Sequence, residues 1–234
     1  MFYTQLRCCE VIVDLNLRGK KVLVIGGGTE GMRKVNGLLG QNCKITVISN
    51  RLNSYFKNLA NEGKIEIIKK KIDNSNLDFL DNYKDSFLLL ASTDDRKLNR
   101  AMVNKGRTFG AFVYSVDDPQ YSDFSYASII NIEGVMQVAI STEGKSPIMA
   151  RKIRMKAERI IRKIITPSDI ENAKLQEFAR YEARLIIKTV KERKAFLYSI
   201  INDKNIQSLI RENKVEEARL ATLDLLRRWG NDIP

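Results

Sequence analysis

Three glycines lie at the spacing that lets a protein backbone approach a phosphate group. Gly26, Gly28 and Gly31 fill a G-x-G-x-x-G pattern. The pattern follows the apolar run Val22–Ile25, which is typical of a buried parallel strand, and helix-compatible residues begin at Met32. In this frame Gly26 permits a tight turn, Gly28 leaves room for a pyrophosphate, and Gly31 lets the helix pack close to the strand. The pattern predicts a dinucleotide-binding turn; the alternative is a glycine turn in an α/β fold that binds nothing.

The second predicted strand lacks the acidic residue that usually follows it and holds the ribose hydroxyls of NAD. Its end reads Ser49-Asn50-Arg51. Ser49 and Asn50 could bond a ribose more weakly than a carboxylate does, and Arg51 could favour the 2′-phosphate of NADP. This strand end therefore leaves the choice between NAD and NADP open.

The chain contains no histidine, which narrows its possible chemistry. A Ser-His-Asp triad, an imidazole metal site and a dehydrogenase that transfers protons through histidine are all excluded. Acid–base work near neutral pH then falls to Asp, Glu, Lys, Tyr or Cys. The segment Ser115–Asp123, after the fifth predicted strand, is the best source of such groups. A carboxylate there could accept a proton or guide a metal ion, and the alternative is a turn with solvated acids.

Two further loops carry groups that suit ligand binding. Thr93, after the fourth predicted strand, could bond the ribose or the nicotinamide end of a cofactor, or else Thr93 or Asp94 caps the next helix. The segment Ser141–Pro147 has hydroxyls and Lys145, which suit carboxylate binding at a helix N-terminus. The alternative is a simple N-cap by Ser146, with the proline after it at the first helical position.

The charge balance favours a polyanionic partner. The 234 residues include 40 Lys and Arg against 28 Asp and Glu, which gives a formal net charge of +12. Nucleic acid is one candidate partner, a small molecule with many carboxylates is another, and a basic surface without a ligand is the third reading. Because the chain has no recognition motif for nucleic acid, we expect no nucleic-acid partner.

The sequence predicts a cytoplasmic protein with no membrane partner. No run of about 18 apolar residues could span a membrane, and the N-terminus has no cleavage site of a signal peptide. Cys8, Cys9 and Cys43 form no C-x-x-C pair, so we expect reduced thiols and no disulfide framework.

Alternating strands and helices must position these groups in the first half of the chain. Such an alternation predicts a doubly wound parallel sheet, in which the loops after the strands meet at one edge. The predicted strands are Val22–Ile25, Lys44–Ser49, Ile65–Ile68, Phe87–Ala91 and Ala111–Tyr114, and the predicted helices are Gly31–Gly40, Leu52–Glu62 and Asp94–Lys105.

A hairpin and a series of helices are predicted beyond that sheet. Two β-type runs, Tyr126–Ile132 and Val135–Ile140, are split by Glu133-Gly134. After Pro147 the pattern is helical to the end of the chain. The predicted features are a helix over Ile148–Ile165, a break at Pro167, Ser168 as the N-cap of a helix that runs to about Val190, and a helix over Lys214–Arg228.

Five separate motifs resemble the precorrin-2 dehydrogenase family, which includes the N-terminal half of siroheme synthase. The resemblance covers roughly residues 10–160, with the spacing of the motifs preserved. The motifs are Asp14-Leu15 with Arg18-Gly19-Lys20; Gly26-Gly27-Gly28 with Arg33-Lys34; Thr93-Asp94-Asp95 with Leu98-Asn99; Val116-Asp117-Asp118-Pro119 with Phe124; and Ala139–Pro147 with Ala150-Arg151 and Arg154.

The resemblance implies an NAD-dependent enzyme that oxidises precorrin-2 to sirohydrochlorin. Some members of the family also insert Fe²⁺ to give siroheme. The implied fold is a Rossmann domain, then a dimerisation region of strands and helices, then a C-terminal helical part, with the active site in the cleft of a homodimer. On this basis we predict an NAD-binding domain at residues 1–114, a dimerisation and active-site region at 115–165, and a helical domain at 166–234.

The motifs also imply roles for individual residues. Asp117 matches the aspartate proposed to serve both dehydrogenation and metal insertion, and no metal ligands are assigned. Departures from the family pattern are Gly31, where alanine is common, and Glu143, where glycine is common. The predicted cofactor-binding residues are Gly26, Gly27, Gly28, Thr29, Glu30, Gly31, Asn50, Arg51 and Thr93, and the predicted substrate-binding residues are Thr142, Lys145, Ser146 and Arg154.

Two alternatives stay beside the precorrin-2 dehydrogenase hypothesis. The first is the same enzyme with ferrochelatase activity added. The second is a regulatory module, in which a Rossmann domain reports NAD binding to a helical effector region. The acidic turn at Asp117 and the segment Ser141–Ser146 favour an enzyme, because a sensor needs no such groups.

Overall fold

The computed structural model of the protein describes residues 11–231, so Cys8 and Cys9 lie outside the described residues. The chain divides into two compact units. The first comprises the described residues up to Tyr126 together with Glu143–Lys145, and the second comprises Ala127–Thr142 and the described residues from Ser146 onward. The functional boundaries expected after residues 114 and 165 stay predictions.

The first unit contains the five-stranded parallel sheet that the sequence predicts, and the Rossmann-like fold class is confirmed. The strand order is β3-β2-β1-β4-β5. Ile25 pairs with Ile48 and with Ala91, and Ala91 pairs with Ser115, so four strands end at the same level. The loops after them therefore begin side by side. The strands are β1 (Lys21–Ile25), β2 (Lys44–Ile48), β3 (Glu66–Ile68), β4 (Leu88–Ala91) and β5 (Phe112–Ser115).

Helices cover both faces of this sheet, which explains why its central strands are apolar throughout. On one face Val24 and Leu90 pack with Val35 and Phe56 of the first two helices. On the other face Leu89 and its neighbours pack with Met102 and Val103 of the third helix. The helices are α1 (Thr29–Leu38), α2 (Ser54–Asn61) and α3 (Arg96–Thr108), and two 3₁₀ segments cover Leu77–Tyr83 and Pro119–Tyr121.

The second unit joins an antiparallel hairpin to five helices. The hairpin is the predicted one, and its turn at Glu133-Gly134 has positive φ at both residues, as tight hairpin turns require. Ile130 and Ile132 of the hairpin form a small core with Ile170. The elements are β6 (Ser128–Ile132), β7 (Met136–Ile140), α4 (Pro147–Ile164), α5 (Pro167–Ile186), α6 (Val190–Asn202), α7 (Lys204–Arg211) and α8 (Val215–Asn231).

The start of α5 differs from the prediction. Thr166, and not Ser168, is the N-cap: its hydroxyl accepts the Asp169 N–H at 3.3 Å, and the Asp169 carboxylate accepts the Thr166 N–H at 2.8 Å. Pro167 is the first helical residue, where its fixed φ suits a helix start and its missing N–H costs nothing. The helix ends at Ile186, before the predicted Val190.

Within residues 11–231, every helix is too short or too polar to cross a lipid bilayer.

The reciprocal cap at Thr166 predicts a measurable contribution to stability. We expect Thr166→Ala to lower the free energy of unfolding by about 1 kcal/mol, because a helix donor loses its partner. Ser168→Ala is the matched control and should change that free energy by less than about 0.5 kcal/mol. Urea denaturation of both variants checks this. A larger loss from Ser168→Ala would restore Ser168 as the N-cap.

Candidate active site

The glycine turn after β1 is built from close backbone contacts. Gly26 has φ +123°, and a Cβ there would lie 2.3 Å from the carbonyl oxygen of Ser92. A Cβ at Gly31 would lie 2.0 Å from the carbonyl oxygen of Gly26. Because neither distance is compatible with a real Cβ, only glycine lets α1 begin this close to the strand. Alanine, which is common in the family at the position of Gly31, would force the turn to shift.

Gly28 differs from its neighbours because the space beside it is open. A Cβ at Gly28 would meet no atom within 4 Å, whereas one at Gly27 would lie 2.2 Å from the carbonyl oxygen of Arg51. Gly28 is also the N-cap of α1, and no side chain of the described residues caps that end. The first N–H groups of α1 thus face a cradle that a side chain at Gly28 would fill. This geometry fits a pyrophosphate.

In the loop after β2, one polar side chain bonds within the loop and two others are exposed to solvent. The Ser49 hydroxyl donates to the Arg51 carbonyl at 2.7 Å and accepts the Arg51 N–H at 3.2 Å, so it shapes the loop. The side chains of Asn50 and Arg51 are exposed at the same sheet edge. They stay candidates for the adenosine ribose, and Thr29 is likewise exposed at the start of α1.

The loop after β4 is closed by Asn99 of α3. The Thr93 hydroxyl donates to the Asn99 Oδ1 at 2.7 Å, and the Thr93 N–H donates to the same oxygen at 3.1 Å. Asp95 caps α3, since its carboxylate accepts the N–H groups of residues 97 and 98 at 2.9 and 3.0 Å. The expectation that Thr93 or Asp94 caps this helix is therefore wrong.

Asp117 follows the end of β5, and its side chain is exposed. Its two hydrogen bonds both go to one carboxylate oxygen. Its Oδ1 accepts the Ser115 hydroxyl at 2.8 Å and the Asn99 Nδ2 at 3.1 Å. Among the residues that the structure describes, none donates a hydrogen bond to Oδ2. The carboxylate is therefore oriented by two neutral donors while one oxygen stays open to a ligand.

Asp118 points the other way and is only 2% exposed. Its Oδ2 lies 2.6 Å from a guanidinium nitrogen of Arg100 and 3.1 Å from one of Arg96. Burial alone would raise the pKa of Asp118, but the hydrogen bonds from Arg100 and Arg96 outweigh it and hold this pKa below its ordinary value. Asp118 therefore ties α3 to the turn that carries Asp117.

The predicted substrate-binding residues are distributed over both units. In the second unit, the Ser146 hydroxyl accepts the Met149 N–H at 3.2 Å as the N-cap of α4, and the Ser146 N–H donates to the Thr142 hydroxyl at 3.0 Å. The predicted N-cap is thus confirmed. Arg154, on α4, lies 2.5 Å from Glu158. In the first unit, Lys145 lies 2.8 Å from Glu143.

Known proteins similar to this chain are siroheme synthases. The enzyme of Mannheimia succiniciproducens is 31% identical over 210 residues, which cover 89% of this chain and 41% of that protein. The enzyme of Neisseria meningitidis serogroup C is 29% identical over 204 residues, which cover 87% and 40%. The chain thus spans about two fifths of the length of these relatives.

A solved structure shares the fold. The precorrin-2 dehydrogenase SirC superposes with a TM-score of 0.61 at 20% sequence identity, over 89% of this chain and 100% of that chain. Identity this low establishes the fold alone.

Two family descriptions match the chain in succession. One, described as NAD(P)-binding, covers residues 13–128, and the other, described as the central part of sirohaem biosynthesis proteins, covers residues 133–156. The chain belongs to the precorrin-2 dehydrogenase and siroheme synthase family. The family resemblance of the sequence is confirmed, and with it a nicotinamide cofactor, while the glycine turn as its binding site stays a prediction.

Three residues of α3 acquire a role in this family member that the sequence did not suggest. Arg96, Asn99 and Arg100 all face the turn after β5, and all three reach an aspartate there. Their i, i+3, i+4 spacing places them on one helix face, which was the available signal. Nothing in the sequence indicated which segment that face contacts.

Lys34, another residue of the family motifs, lies against two aromatic rings. Its Nζ lies 4.1 Å from the centre of the Tyr114 ring and 3.9 Å from that of the Tyr126 ring. Burial lowers the pKa of Lys34 to about 8, against the opposite effect of nearby Glu30. The ammonium between two aromatic faces fixes α1, and therefore the glycine turn, to the end of β5.

The buried pairing of Asp118 predicts a pH-dependent contribution to stability. We expect Asp118→Asn to lower the melting temperature at pH 7, because two guanidiniums lose their carboxylate. A carboxyl whose pKa is lowered on folding stabilises the fold above its ordinary pKa, and this contribution is lost as the pH falls. The gap from wild type should therefore shrink below pH 3.8, the ordinary value.

Melting curves from pH 7 to pH 2.5 check this, with Asp94→Asn, an exposed neighbour, as the control. An Asp118→Asn melting temperature equal to wild type at pH 7 would contradict the structural role of Asp118.

Proposed function

We propose that this protein oxidises precorrin-2 to sirohydrochlorin with NAD as the hydride acceptor. The observation that carries the proposal is Asp117, a carboxylate with one open oxygen, at the same sheet edge as the glycine turn in a chain without histidine. The siroheme synthase relatives and the family membership support the same reaction.

The chain's own residues supply the binding and the proton transfer in this proposal. The N–H groups at the start of α1 hold the pyrophosphate beside Gly28, and Asn50 and Arg51 hold the adenosine ribose. A bound nicotinamide would supply the hydride acceptor for this oxidation. Asp117 accepts at Oδ2 the proton that the substrate loses, while Ser115 and Asn99 keep the carboxylate in place.

The excess of positive charge supports a substrate rich in carboxylates. We assign carboxylate contacts to Lys145 and Arg154, with Thr142 and Ser146 shaping the start of α4. Lys145 and Arg154 each pair with an acidic neighbour, Glu143 and Glu158, and a ligand carboxylate would compete with that neighbour for the cation.

A second copy of the chain is the proposed partner of the second unit. Four apolar side chains of α4 lie on one stripe of the helix at positions i, i+4, i+11 and i+15, and they are 43–63% exposed. An exposed apolar stripe of this kind favours burial against another subunit. The stripe consists of Met149, Ile153, Ile160 and Ile164.

The cofactor assignment predicts the effect of filling the cradle. We expect Gly28→Val to remove measurable binding of NAD in calorimetry and to leave the fold intact, because Gly28 has extended backbone angles that valine adopts. Gly37→Val, at another open position of α1, is the matched control and should bind NAD as wild type does. Unchanged NAD affinity in folded Gly28→Val would refute the cradle. The same titration with NADP tests whether Arg51 favours the 2′-phosphate.

The reaction predicts a central role for the open carboxylate. We expect Asp117→Ala to keep NAD binding and to lose ~10²-fold or more in the rate of precorrin-2 oxidation, the scale of a general base. The absorption spectrum of the product follows the reaction. Asp94→Ala, an exposed acid in the neighbouring loop, should retain the wild-type rate.

Oxidation by Asp117→Ala near the wild-type rate would show that this carboxylate is not the base. A wild-type protein that binds NAD and leaves precorrin-2 unchanged would favour the regulatory module.

A further inference from the structure

We propose that Asn99 is a positioning residue that aims the Asp117 carboxylate and joins it to the cofactor loop at Thr93. This inference rests on the proposed function, in which Asp117 is the base. Asn99 is 0% exposed and reaches the loops after β4 and β5 from α3. No other side chain of residues 11–231 hydrogen-bonds to both of these loops.

The orientation of the Asn99 amide follows from its partners. The Thr93 N–H can only donate, so the atom that faces it at 3.1 Å must be Oδ1. The Thr93 carbonyl can only accept, so the atom that faces it at 3.0 Å must be Nδ2. The second hydrogen of that Nδ2 is then directed at Asp117, 3.1 Å away. The amide cannot flip without breaking both backbone contacts.

This fixed orientation determines what Asp117 meets. The carboxylate therefore has the Asn99 amide as a fixed donor at Oδ1. Ser115, only 1% exposed, supplies the second donor to the same oxygen. Two bonds to one oxygen fix the plane of the carboxylate and leave Oδ2 as the proton acceptor.

The same amide links the base to the cofactor loop. The Thr93 hydroxyl donates its hydrogen to Asn99 Oδ1 at 2.7 Å, so toward a ligand Thr93 offers lone pairs only. A cofactor hydroxyl or amide N–H that donates to Thr93 would therefore be linked through Thr93 to Asn99, which holds Asp117. Asn99 makes the position of the base depend on the position of the cofactor loop.

Packing of α3 keeps Asn99 in this place. Arg96 and Arg100, one turn apart and on either side of Asn99 in the sequence, are both paired with buried Asp118. The helix face that carries Asn99 is thus bound to the turn after β5 by charged contacts, and Asn99 itself adds neutral ones.

The test compares Asn99→Asp with Asn104→Asp, an exposed position of the same helix. Aspartate has the size of asparagine but presents an acceptor to the Thr93 carbonyl and to Asp117. We expect Asn99→Asp to lower kcat for precorrin-2 oxidation by about 10-fold or more, with a small change in the KM for precorrin-2. Asn104→Asp should match wild type in both.

A readout that needs no turnover separates this inference from the proposed function. Carbon-13 NMR of labelled aspartate at pH 7, assigned with Asp117→Asn, compares the side-chain carboxyl signal of Asp117 in wild type and in Asn99→Asp. We expect this signal to shift in the variant, because Asp117 no longer accepts the hydrogen bond from Asn99. An unmoved signal overturns the positioning role whether or not the protein oxidises precorrin-2.

Failure of the wild type to oxidise precorrin-2, together with a moved signal, would overturn only the proposed reaction. If Asn99→Asp does not fold, Asn99→Ser, which is too short to bridge both loops, should move the signal as well.

Discussion

The close approach of α1 to the glycine turn is the constraint on which the first unit depends. Positions 26 and 31 leave no room for a Cβ, because each would lie within 2.3 Å of a backbone carbonyl oxygen. The turn after β1 is thus compressed between α1 and the loop after β4, which begins at Ser92. Since these contacts involve backbone atoms, the N-terminus of α1 is fixed without any intervening side chain, and the space beside Gly28 stays open.

Because of the strand order, the candidate functional residues lie on separate loops. β1 lies between β2 and β4, and the aligned ends of Ile48, Ile25, Ala91 and Ser115 start four loops in a row. The pyrophosphate cradle belongs to one of them and the open carboxylate of Asp117 to another. No single segment carries the candidate site, so its geometry depends on cross-links such as the Asn99 amide.

The sequence predicted the strands well because their apolar runs are short and separated by turns. The prediction of a helix N-cap failed where two nearby residues could each cap the helix. Thr166 and Ser168 can both cap a helix, and the decision came from Pro167 at the first helical position and from Asp169 three residues after Thr166. Asp95 caps α3 because it directly precedes the helix and its carboxylate accepts two free N–H groups, whereas the Thr93 hydroxyl is bonded to Asn99. The contact between Asn99 and Asp117 spans 18 residues, and no local pattern contains it.

Asp117 and Asp118 show how adjacent acids acquire different functions. Asp118 is buried between two guanidiniums that occupy its oxygen and hold its pKa down, so it is a poor acceptor for a substrate proton. Asp117 is held by an amide and a hydroxyl, which fix its geometry without an ion pair among the described residues. A base needs both a fixed position and a free lone pair, and neutral donors on one oxygen supply this combination. The ion pairs of Asp118 tie the turn to α3, and the two neutral donors orient the Asp117 carboxylate within that turn.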